Sequence, residues 1–198
     1  MAPRGETKRQ LLVTASELFR RGGYHGTGLN QILDASGAPR GSLYFHFPGG
    51  KQELAVSAVE SSGRLIGHGI EATLASVDDV GEAVGRVLDF LAADLRESGY
   101  ERGCPVGTVA MDASLTSEPV RIACGGILSE WTELIEHRIL AAGWSRQDAR
   151  AQALLVVSAI EGALLLARAQ RDTEPLDAVA QQFRASLRTP TESTRRPR

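Results

Sequence analysis

Apolar residues recur three and four positions apart along most of this chain, the spacing of helix faces packed on a core. Leu11, Leu12, Ala15, Leu18 and Phe19 predict a helix over 6–21, stopped by Gly22-Gly23. Leu29, Ile32 and Leu33 make one face of a second, short helix, ended by Ser36-Gly37. Glycine suits such an end because it adopts the left-handed conformation a sharp stop needs. Thr27 or Gly28 is the expected cap at its start, and Pro39 suits the first turn of a third helix. Leu43 and Phe47, four apart, pack that helix back on the second. A fourth helix is placed over 50–76. Gly63, Gly67 and Gly69 interrupt it, so it either bends there or packs closely against a neighbour. Asp78-Asp79 opens a fifth, whose stripe is Val80, Val84, Val87, Leu88, Leu91 and Leu95. After a loop over 99–105 come helices over 106–114, 118–142, 146–171 (capped by Ser145) and 175–188. Residues 1–5 and the polar tail 189–198 are expected to be disordered. No alternating strand and no internal repeat is visible, so the class is all-α.

The second and third helices with their tight turn form a helix-turn-helix, whose later helix can enter the DNA major groove. Arg40, Gly41, Ser42, Tyr44 and His46 are left facing outward. Arginine can meet phosphate or a guanine edge, tyrosine and serine can donate to phosphates, and glycine allows a close backbone approach. Lys51, in the first turn of the fourth helix, is placed where a helix N-terminus also favours an anion. The other reading of the pattern is an ordinary helical hairpin with a solvated face.

Charge supports the first reading. The 198-residue chain carries −2 in all, yet residues 1–51 hold seven Lys/Arg against three acids. A basic N-terminal module on an acidic body is the profile of a phosphate-binding head with a separate second domain. Residues 1–10 are polar and lack a signal-peptide pattern, and no apolar run is read as membrane-spanning, so a cytoplasmic location is expected.

Two stretches carry a resemblance. Ala15-Ser16-Glu17-Leu18-Phe19 with Gly22-Gly23-Tyr24-His25-Gly26-Thr27, then Gly37-Ala38-Pro39-Arg40-Gly41-Ser42-Leu43-Tyr44-Phe45-His46-Phe47 and Pro48-Gly49-Gly50-Lys51, resemble the DNA-binding domain of TetR-family regulators. Arg102-Gly103-Cys104-Pro105-Val106-Gly107-Thr108-Val109-Ala110 and the segment Ile160 to Arg168 resemble its LmrA/YxaF-like branch. Gly28 and Pro39 depart from the Ser or Thr usual in the family, which makes Thr27 the more credible contact. The resemblance implies a three-helix DNA-binding domain over 1–49 with a helical ligand-binding and dimerisation domain over 50–188. It also implies a double-stranded operator contacted by Thr27, Pro39, Arg40, Gly41, Ser42, Tyr44, His46 and Lys51, and repression relieved by a small molecule.

Within the body, residues 151–169 are apolar round most of the helix and must be covered on several sides. A second copy of the chain is the simplest cover. Ala159, Gly162, Ala163 and Ala167 would allow close approach, and the last helix would add Leu176, Val179, Phe183 and Leu187. Glu161 inside this run requires a partner, across a dimer or in a pocket. Candidates to line a hydrophobic effector pocket are Phe90, Met111, Leu115, Trp131, Leu134, Ile135 and Glu161.

An enzyme is the rival class. Cys104 with His137 lacks a third orienting group, and the four histidines show no metal-ligand spacing. No nucleotide cradle or other cofactor signature is present. The reading is therefore a regulator and not an enzyme. A redox-sensing regulator acting through Cys104 or Cys124 is the alternative.

Overall fold

The computed structural model describes residues 4–188. Among them are nine helices and no strand: α1 (Arg4–Gly26), α2 (Leu29–Ser36), α3 (Arg40–His46), α4 (Gly50–Ala75), α5 (Val80–Glu97), α6 (Pro105–Ala113), α7 (Glu118–Ala141), α8 (Arg146–Gln170) and α9 (Glu174–Ser186). The expected tail 189–198 and the first residues of the arm lie outside the described residues; Arg4 and Gly5 already belong to α1. The all-α class is as expected.

Two compact units divide the chain, and neither is continuous. One gathers the residues up to Leu65 with Arg102–Ile127; the other gathers Ile66–Glu101 with the residues from Leu128 onward. Helices α4 and α7 therefore contribute to both.

In the first unit the core is built from Leu11, Ala15 and Phe19 of α1, Ile32 of α2, Leu43 and Phe47 at α3, and Leu54 and Ala58 of α4, all buried. Helix α1 breaks at Gly23, whose φ of 73° belongs to the left-handed side that glycine reaches without a Cβ clash. Gly37 closes α2 in the left-handed helical conformation, at φ 64° and ψ 12°. Pro39 stands just before α3 as an extended N-cap (φ −60°, ψ 141°) and not within its first turn, and it offers no side-chain cap. Farther along, a Cβ on Gly63 would sit 2.5 Å from Ile127 Cγ2 of α7. Of the two roles open to that glycine, close packing is the one observed.

The segment 102–104 is tied to α1 from both sides. Gly103 N–H donates to the Arg20 carbonyl at 3.0 Å, and Arg20 Nε donates back to the Gly103 carbonyl at 3.1 Å. Arg102 and Arg21 both donate to Glu17, at 3.2 and 2.7 Å. Cys104 then caps α6, its Sγ accepting the Gly107 N–H at 3.2 Å.

In the second unit α5 packs on α9 so closely that a Cβ on Gly81 would meet the Phe183 carbonyl at 2.5 Å. Arg184 of α9 answers with Glu82, at 3.0 Å, and Asp89 of α5. Gly67 admits the Trp131 indole, whose Nε1 lies 3.5 Å from where a Cβ would stand, whereas Gly69 has nothing within 4 Å. Arg138 of α7 gathers carbonyls at and just past the end of α4, Nε donating to Leu74 and Nη2 to Val77, both at 3.0 Å, and Nη2 also to Asp78. Asp79 and Ser145 cap α5 and α8 as expected, accepting from Glu82 and Asp148 N–H.

Two expectations for the body are corrected. Leu176, Phe183 and Leu187 are buried within the chain, and Ala163 and Ala167 of α8 are buried as well, α8 packing on both α9 and α5. The outward stripe of α8 consists instead of Leu154, Leu155, Leu165 and Leu166, each about half exposed, with the open Gly162 between them. Those leucines also make α8 long and apolar enough to cross a membrane by length and composition, contrary to the sequence reading.

Candidate nucleic-acid interface

The α2–α3 pair is set on α1 by its apolar face. Ile32 and Leu43 are fully buried, which turns the other faces of both helices to solvent. Arg40 and Gly41 are exposed, Ser42 and His46 half-buried, and Tyr44 is 49% exposed. The five outward residues expected on this helix are therefore brought together on one short segment, with Pro39 exposed before them.

Thr27 is a correction. Its side chain is 1% exposed, and its hydroxyl donates inward to the Gly23 carbonyl at 2.9 Å and the Leu18 carbonyl at 3.2 Å. It closes the end of α1, and Gly28 is the N-cap of α2, with no side-chain cap. Its hydroxyl is thus engaged inside the protein.

Lys51 lies in the first turn of α4 as expected. Its Nζ stands 4.4 Å from the centre of the Tyr24 ring, a cation–π geometry. Burial lowers its pKa, while Asp112 acts in the opposite direction; burial and then Asp112 raise that of Tyr24. Just before Lys51, the Gly49 N–H donates to Glu53 Oε2 at 2.7 Å, which satisfies an amide ahead of the helix.

Three features escaped the sequence reading. Phe45 is 71% exposed on α3, an apolar side chain of the kind that meets a thymine methyl. Lys8 of α1 reaches over the Phe47 ring at 5.8 Å, beside the end of α3. Arg40 Nη2 donates to Asn30 Oδ1 of α2 at 2.5 Å. Phe45 was legible in principle, since it falls off the Leu43/Phe47 face; the other two are contacts between helices.

The residues named for a pocket are dispersed. Trp131 and Ile135 are buried and Leu134 and Glu161 half-buried. Phe90, Met111 and Leu115 stand in solvent at 69, 64 and 98% exposure. Met111 and Leu115 belong to the first unit and the others to the second. Both thiols are buried, and burial pushes that of Cys124 up to about 11, so it is almost wholly protonated at neutral pH.

An N-terminal helix-turn-helix with a basic, solvent-facing second helix, continued by six further helices, defines a helix-turn-helix transcriptional regulator. Residues 11–58 match the family model for bacterial regulatory proteins of the tetR family. Residues 81–182 match that for the C-terminal domain of LmrA/YxaF-like transcriptional regulators. The chain belongs to the TetR family, in its LmrA/YxaF-like group. It is similar to the HTH-type regulator YxaF of Bacillus subtilis (strain 168), 36% identical over 95% of this chain and 98% of the relative. LmrA of the same organism is 38% identical over 87% of this chain and 92% of its own. Among solved structures, a cysteine mutant of the TetR family regulator CifR, complexed with 26 bp double-strand operator DNA, shares the fold. Its TM-score is 0.77 at 23% identity, covering 90% of this chain and 95% of that one. The protein is a DNA-binding transcriptional regulator and not an enzyme.

Proposed function

We propose that this regulator is a repressor, acting in the cytoplasm as a homodimer on a pseudo-palindromic operator and released from it by a hydrophobic small molecule. The observation that carries the reading is the outward face of α3, where Arg40, Tyr44 and Phe45 are exposed side by side with half-buried Ser42 and His46. Residues 1–49 are the DNA-binding head in this reading, with Arg40 on a base edge, Ser42, Tyr44, His46 and Lys51 on or near phosphates, and Pro39 and Gly41 close to the backbone. Residues 50–188 form the effector-binding and dimerising body.

The leucine stripe of α8 supports the dimer, because four half-exposed leucines on one helix are the surface a second copy would bury. Two heads then present their α3 helices about 34–36 Å apart, one turn of DNA. Trp131, Leu134, Ile135 and Glu161 are the effector contacts retained. By linkage, an effector that weakens operator binding is itself bound more weakly by the operator complex, by the same factor.

Selection of bound duplexes from a random DNA pool at two salt concentrations tests the reading. A palindromic sequence is expected to enrich with the natural chain and to be lost with Arg40→Ala Tyr44→Ala. Weak, salt-sensitive binding without enrichment would overturn it.

A further inference from the structure

Asn30 is the second residue of α2 and Arg40 the first of α3, and both are exposed on the face away from the core. Asn30 Oδ1 accepts a hydrogen bond from Arg40 Nη2 at 2.5 Å. Pro39 sets the backbone direction from which the arginine departs, at φ −60°. We propose that Asn30 is a specificity-determining positioning residue: it holds the Arg40 guanidinium in the orientation that reads one base of the operator. The inference rests on the reading that α3 faces operator DNA.

The partner's chemistry distinguishes this contact from the arginine–carboxylate pairs of the same unit. Arg9 is paired with Glu6, Arg21 and Arg102 with Glu17, and Arg121 with Glu118. Those arginines are held by carboxylates, which cancel their charge. Arg40 has no carboxylate partner among the described residues, and rests on a neutral amide. An amide oxygen orients a guanidinium and leaves its full positive charge for DNA. A carboxylate at position 30 would orient it as well, but would neutralise it and repel the phosphates.

The donor inventory agrees. Arginine carries five N–H donors in a planar fork. Asn30 takes one N–H of Nη2, and an edge bearing two parallel donors remains. That edge is what a guanine O6/N7 pair requires. An arginine fixed in this way has less freedom to swing onto a phosphate, where it would carry no sequence information.

The test uses the full chain with Asn30→Ala, Asn30→Asp, Arg40→Ala and the double variant Asn30→Ala Arg40→Ala. Each is titrated against the duplex enriched by the natural chain, the same duplex substituted at each half-site position, and an unrelated duplex of equal length. Asn30→Ala is expected to lower base preference at the Arg40-read position by on the order of tenfold. Binding to the unrelated duplex and the salt slope should stay within about twofold, since no phosphate contact is removed. Asn30→Asp should preserve the order of preference and weaken binding to every duplex, most at low salt. The double variant should match Arg40→Ala. Positioning is overturned if Asn30→Ala keeps the natural preference while Arg40→Ala abolishes it, or if the two losses add. If Arg40→Ala itself leaves every preference unchanged, the base-reading role of α3 falls and this inference falls with it.

Discussion

Asp112 of α6 accepts the backbone N–H of His25, just past the break in α1, at 2.9 Å. Its other oxygen accepts the Tyr24 N–H at 3.2 Å, so one carboxylate satisfies two amides freed where Gly23 interrupts the helix. Asp112→Ala is expected to lower the unfolding free energy by about 1–2 kcal/mol, and Asp112→Asn, which keeps one acceptor, by about half as much. Gly23→Ala should cost more than Gly26→Ala. Its Cβ would meet Asp112 Oδ2 at 2.6 Å on a left-handed backbone, whereas Gly26 has nothing within 4 Å. Because both changes act on one contact, Gly23→Ala Asp112→Ala should cost less than the sum. Urea denaturation of the natural chain and each variant checks this, and strict additivity of Gly23→Ala and Asp112→Ala would show that the contact is not shared.

Lys51→Ala should weaken binding to all duplexes alike and flatten the logarithmic salt dependence by about one unit of slope, the signature of one lost phosphate contact. An unchanged slope would leave Lys51 as a cation held on the Tyr24 ring, 4.4 Å away, and remove it from the DNA interface.

Glycines of α4 should part in sign. Gly69→Ala enters open space and should stabilise by up to about 1 kcal/mol through helix propensity. Gly63→Ala drives a methyl into Ile127 and should destabilise by about 1–3 kcal/mol. Thermal melts decide it; equal shifts would mean that α7 moves aside at no cost.

A pH effect follows from Cys124. Its thiol is raised from 9.0 to about 11 in the folded chain, mainly by burial. The folded state therefore holds a proton that the unfolded state releases first. The contribution is fully present below pH 9 and is lost as pH rises through about 11, at no more than about 1.4 kcal/mol per pH unit. Cys124→Ala should flatten the stability profile in that window. A natural profile already flat from pH 9 to 11 would contradict the burial argument.

Arg138→Ala strips the side-chain donors from the Leu74, Val77 and Asp78 carbonyls. Amide exchange over 74–79 is expected to quicken by an order of magnitude or so, the amount one to two net hydrogen bonds protect. Arg138→Lys should restore little, because one ammonium lacks the planar fork that reaches several carbonyls at once.

The elements whose ends are decided locally were legible in the chain. Gly37, Asp79 and Ser145 act through their own backbone or through an N–H three residues on, and all three terminate helices as read. The exposed face of α3 was legible for the same reason, since Leu43 and Phe47 identify its inner side. What failed depends on which helix lies opposite. Thr27 was read as a cap or DNA contact, but carbonyls of α1 claim its hydroxyl. The apolar side of α9 was assigned to a partner copy, whereas α5 and α8 cover it. Apolar spacing identifies a face that must be buried and is silent on the crossing that buries it. Asn30 with Arg40, and Lys51 with Tyr24, are likewise pairs that only the tertiary arrangement assembles.

The interleaving of the two compact units governs how the molecule can be cut, grafted and synthesised. Chain passes from one to the other after Leu65, Glu101 and Ile127. Asp112, Gly103 and Ile127, which brace α1 and α4, all come from the second segment of the first unit. A fragment truncated ahead of Arg102 thus carries α3 without the buttress of its unit. A chimera that exchanges the first unit between two relatives must transplant both segments. On the ribosome, the same unit is complete only when residue 127 has cleared the exit tunnel.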